Sequence, residues 1–118
     1  MATVQIKRIY DPVENTDGAR ILIDRLWPRG VKKESAKLDE WMKDISPSVT
    51  LRKWFDHDPA KWEKFKAKYA FELKQNKVVD DLLNIIHQNK AVTLLYAAHD
   101  TQYNHAVVLL QFINTLLK

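Results

Sequence analysis

A-R-I-L-I-D-R-L-W-P-R-G-V-K-K, residues 19–33, decides how the rest of the chain is read. Ile21, Leu22 and Ile23 are apolar at successive positions, the pattern of a strand covered on both faces. The run ends in Asp24 and Arg25, then breaks at Pro28 and Gly30 into a loop that carries Arg29, Lys32 and Lys33. Ligands of open parallel sheets collect just beyond the carboxyl ends of strands, which makes this bend the first place to look for a site. Successive strand side chains point to opposite faces, so Asp24 and Arg25 are expected on opposite sides if the strand runs through them.

Two further strands flank it. Residues 3–10 alternate, with Val4 and Ile6 on one face and Gln5 and Lys7 on the other, until Asp11-Pro12 stops the run. Residues 91–98 contain Val92, Thr93, Leu94, Leu95 and Tyr96, a buried central strand by the same test as the first. Between them the period changes to that of helices. Leu38, Trp41, Met42 and Ile45 recur at helical spacing, as do Leu51, Trp54 and Phe55. Asp58-Pro59 caps the clearest helix, whose stripe is Trp62, Phe65, Tyr69 and Leu73, with Phe71 nearly opposite. Helices are also expected over residues 77–88 and 104–117. The sequence thus predicts one α/β domain, residues 1–118, with a small, mostly parallel three-stranded sheet covered by helices. The direction of the first strand stays open, because roughly nine residues are few for a parallel crossover.

Composition narrows the function classes. With no cysteine there is no disulfide, thiol nucleophile or thiolate zinc site. Nineteen Lys and Arg against fifteen Asp and Glu give a formal charge of +4, a mixed surface suited to acidic partners without being polycationic. No apolar run approaches the ~20 residues of a membrane span and no signal-peptide core opens the chain, so the cytoplasm is the expected location. Neither G-x-x-x-x-G-K-[ST] nor G-x-G-x-x-G occurs, and no cofactor is expected.

The basic bend suggests a cleft for a small anion, phosphate or carboxylate. Arg25 and Arg29 would supply guanidinium forks, Gly30 close backbone approach, and Arg52 the opposite rim. Asp24, His57 and Asp100 are the candidates for acid–base work should the cleft be catalytic. A metal site is not expected: His99 and His105 are six apart, without the i,i+4 geometry of a helical pair, and H-E-x-x-H is absent. Two other classes compete. A nucleic-acid-binding module would join Arg29, Lys32 and Lys33 to the lysines of the 59–75 helix. A structural protein would use Phe71 in a self-association patch. Monomer and homodimer are both open.

The order of these blocks carries a resemblance. D-R-L-W-P-R-G-V-K-K (24–33), Y-D-P (10–12), D-G-A-R-I-L-I (17–23), L-D-E-W (38–41), L-R-K-W-F-D-H-D-P (51–59), W-E-K-F (62–65) and T-L-L-Y-A-A-H-D (93–100) together resemble the YeaO-like group of the DUF488 family of small bacterial proteins. The resemblance spans nearly the whole chain and implies a compact α/β fold without a defined reaction. Its matching polar positions are Asp24, Arg25, Arg29, Arg52, His57, Asp58, Asp100 and Asn104, which adds Asn104 to the ligand-binding candidates. Related proteins commonly have Lys at His99 and Asn at His105, and a small or charged residue at Phe71.

Overall fold

The computed structural model describes residues 2–117. Four parallel strands form one sheet in the order β1-β4-β2-β3: β1 is Thr3–Arg8, β2 Ala19–Leu22, β3 Glu40–Trp41 and β4 Ala91–Tyr96. The open question about β1 is answered by its register, Thr3 opposite Ala91 through Arg8 opposite Tyr96, all parallel. β2 lies on the other side of β4, with Ile21 opposite Leu94.

The expectation of three strands is corrected to four, and the extra strand replaces an expected helix. Over residues 35–46 the helical spacing gives way to a four-residue α1, Lys33–Ala36, closed by Lys37 at φ 51, then β3 and a 3₁₀ turn, Lys43–Ile45. The reason lies in where the apolar residues go. Leu38 and Trp41 pack on one side of the sheet, with Leu22 and Leu95, whereas Met42 and Ile45 join the core on the other. One helical face cannot serve two sides of a sheet. Met42 N–H also donates to Leu22 O at 2.8 Å, which pins the segment to the β2 edge.

The major core lies on the face covered by α2 (Val49–Phe55), α3 (Trp62–Lys74), α4 (Val78–Gln88) and α5 (His105–Leu117). Ile21, Ile23, Val92, Leu94 and Tyr96 point into it, beside Phe65, Tyr69, Leu82 and Ile113. The minor core holds Ile9, Leu22, Ala36 and Leu95, with Trp27 edge-on to Trp41 at 5.3 Å. The apolar triplet 21–23 is thus divided between both faces, as expected. Asp58 accepts from Ala60 N–H ahead of Pro59, but the cap closes a 3₁₀ turn, Pro59–Lys61, and α3 itself begins only at Trp62.

Beneath the minor core runs a chain of charges. Asp17 is buried and binds both Lys7, at 2.8 Å, and Arg20. Arg20, only 3% exposed, also donates through Nε to Ala36 O. Burial alone would raise the Asp17 carboxyl. Hydrogen bonds from Lys7, the Glu14 pairing and Arg20 overcome that and hold it below its ordinary value, while the same contact raises Lys7. The neighbouring Gly18 takes φ +65, and a Cβ there would stand 2.1 Å from Ala91 O, so only glycine lets this turn close on β4.

Candidate functional site

β2 ends at Leu22, one residue before the end of its apolar triplet, and the consequence is chemical. Asp24 and Arg25 no longer alternate as strand residues. Both turn into one cleft of about 710 Å³ at the carboxyl edge of the sheet, contrary to the expectation that they face apart. The tips of β2 and β4 meet there: Asp24 Oδ2 accepts from Ala97 N–H at 3.0 Å, and Ile23 N–H donates to Leu95 O. This is where a parallel sheet places its ligands.

The cleft has a paired floor and a charged rim. At the floor, His105 Nε2 lies 3.0 Å from Asp24 Oδ1 and 3.1 Å from Ile23 O. One N–H serves one of these acceptors at a time, so the pair can rearrange without moving backbone. Both side chains are about 15% exposed, at 15% and 16%. Arg25 donates through Nη2 to Pro47 O at 3.2 Å, and its buried Nε has no partner among the described residues. It braces the turn into α2 while keeping its charge at the wall.

The rim comes from α2 and the two residues after it. Ser48 caps α2 by accepting from Leu51 N–H, and both its amide and its hydroxyl bind Glu72, which docks α2 against α3. Arg52, Lys53 and His57 are exposed where they border the cleft. Asp56 and His57 take φ 46 and 55, two successive non-glycine residues in the left-handed region. Such backbone costs on the order of 1–3 kcal/mol per residue and collects at functional sites. Below them, Phe55 stacks on Phe65 at 4.2 Å, both against the cleft, and Tyr69 donates to Ile45 O at 2.7 Å. Burial pushes the Tyr69 phenol well above its ordinary value, so it stays a neutral donor.

Five expected residues come together here: Asp24, Arg25, Arg52, His57 and Asn104. Asn104 is committed to scaffold work, accepting from Val107 N–H to cap α5 and donating to Asp100 O. Arg29, Gly30 and Asp100 are not among the residues lining the cleft. Arg29 is exposed and its carbonyl accepts from the Tyr10 hydroxyl, and Gly30 (φ +79) faces open space and shapes only the turn. The Asp100 carboxylate accepts from Tyr103 and Gln102 amides, and these bonds hold it below the usual carboxylate value.

His105 is the residue that sequence reasoning underused, weighing it only as a metal ligand. Its signal was its position, the first residue of the helix that follows the central strand. Among the described residues no group of three or more His, Asp or Glu is placed to hold a metal ion. Among the described residues no helix is long and apolar enough to cross a membrane.

A family model described as "Inactive DUF488-N3 subclade" matches residues 3–118. The chain is 46% identical over 113 residues to the uncharacterised protein YeaO of Escherichia coli, covering 96% of this chain and 98% of YeaO. Uncharacterised proteins of Mycobacterium tuberculosis and Mycobacterium bovis are each 33% identical over 111 residues, 94% of this chain and 93% of theirs. No solved structure matches.

Proposed function

The chain belongs to the inactive DUF488-N3 subclade, close to the YeaO-like proteins, and from that premise we propose that its cleft binds a small anion without turning it over. The carrying observation is the convergence of Arg25, Arg52 and Lys53 on one hollow at the carboxyl edge of a parallel sheet. Three cations against Asp24 and Asp56 leave one formal positive charge on the lining, counting the histidines as neutral. Arg52, exposed at the mouth, supplies the anion's hydrogen bonds, while Arg25 gives Nη2 to the carbonyl of Pro47 and keeps Nε unpaired among the described residues. The subclade's description as inactive supports binding over catalysis.

The nucleic-acid alternative draws less support. Lys61 donates to Trp54 O, and Lys61 and Lys68 lie over the Trp54 ring, with Lys66 over Trp62. These lysines cover the protein's own aromatics.

The reading is tested by titrating the isotope-labelled full chain with sodium acetate and, separately, inorganic phosphate, following backbone amide shifts at constant ionic strength. At least one anion should shift amides of residues 24–26, 52–57 and 97–105, and Arg52→Gln should weaken that response about tenfold. Silence of those amides to both anions, or an unchanged response in Arg52→Gln, would remove the proposal.

A further inference from the structure

The cleft is far larger than an inorganic anion, and its walls say what fills the remainder. At about 710 Å³ it falls in the range of roughly 300–1,000 Å³ that accommodates an organic molecule. Arg52 and Lys53 stand exposed on α2, while Asp24, Arg25 and His105 line the floor and wall. The rest of the lining includes hydrocarbon from Val49, Phe55, Phe65, Ala97 and Ala98. Phe55 and Phe65 are 6% and 2% exposed, so the little surface they show faces this hollow in company with the Tyr103 ring. Leu26, 67% exposed, adds an apolar lip opposite the cations.

Resting on the anion-binding reading, we infer that the ligand is an aromatic monocarboxylate: a flat apolar body against Phe55, Phe65 and Tyr103, with its carboxylate on Arg52. Four features select this class. The single formal positive charge of the lining matches a monoanion better than a phosphate dianion, which would leave uncompensated charge beside Asp24 and Asp56. No glycine-rich nest of amides faces the cleft, since both glycines, Gly18 and Gly30, lie outside it. A planar guanidinium matches a carboxylate with two parallel hydrogen bonds, and an exposed one such as Arg52 has donors free to make them. The aromatic wall offers edge-to-face and offset contacts that an aliphatic chain does not exploit.

The test extends the amide-shift titration of the full chain to phenylacetate, its uncharged analogue phenylacetamide, acetate and inorganic phosphate. Phenylacetate should bind at least tenfold more tightly than acetate or phosphate, and about tenfold more tightly than phenylacetamide. Arg52→Gln should erase its advantage over phenylacetamide while leaving phenylacetamide binding unchanged. If acetate or phosphate binds in the cleft as tightly as phenylacetate, the aromatic assignment is overturned and the anion reading survives. If phenylacetamide equals phenylacetate, or no anion reaches the cleft, both fail together. Acetate and phosphate therefore separate the two failures.

Discussion

Two clusters of opposite charges sit at the two ends of β2, and they do different work. At its start, Lys7, Asp17 and Arg20 close on one another: Asp17 takes a cation on each oxygen, and Arg20 reaches on to Ala36 O. Just past its end, Asp24 and Arg25 spend their bonds on the Ala97 amide and the Pro47 carbonyl, and Arg52 and Lys53 stand opposite with their charge facing open space. A buried cluster whose charges answer one another is a fastener. One that leaves cations over a hollow is a site.

Removing the hub of the closed cluster gives the largest expected effect. Asp17→Ala strands Arg20, already short of a partner at Nη2, inside the fold, and should cost about 3–5 kcal/mol in denaturant unfolding. A loss below about 1 kcal/mol would show that Arg20 reaches water.

The same cluster sets a pH dependence. Asp17 is lowered below 3.8, so its contribution is complete above that pH and fades as pH falls through the folded value. Lys7 is raised above 10.5, so its contribution is complete below that pH and is lost as pH climbs through its folded value. Asp17→Asn should therefore flatten both limbs of the stability–pH curve. Unchanged limbs would break the link.

At the open cluster, Asp24→Ala should cost less, about 1–3 kcal/mol, since it frees the Ala97 amide and the His105 ring close to solvent. A loss as large as that of Asp17→Ala would place Asp24 among the fasteners. The smallest expected effect on stability is Arg52→Gln, within about 0.5 kcal/mol, in a variant that nonetheless loses anion binding. A variant equally stable and equally able to bind would erase the distinction between the two clusters.

The sequence reveals much of this arrangement where the physics is local. The triplet 21–23 reads as a buried strand because every position is apolar, and the run 92–96 because only Thr93 interrupts it. Asp24, Arg25 and His57 read as site candidates because they follow such a run or precede a cap, and Arg52 because it matches a polar position of the family resemblance. What stays hidden depends on partners distant in sequence. β3 is two residues held to β2, and nothing in the spacing of Leu38, Trp41, Met42 and Ile45 separates it from a helix. Arg29 looks as good a ligand as Arg25 until the path of the 26–33 loop turns it to solvent. Arg20, in the middle of an apolar run, gives no sign that its charge is answered from Asp17. The meeting of His105 with Asp24, eighty-one residues apart in the chain, exists only once β2 and β4 are neighbours.

The most direct measurement is a crystal of the full chain soaked in 4-bromophenylacetate and read by bromine anomalous scattering. The account predicts a bromine peak deep in the cleft near Phe55 and Ala97, with the carboxylate turned to the Arg52 guanidinium. A peak elsewhere on the surface, with the cleft empty, would contradict it.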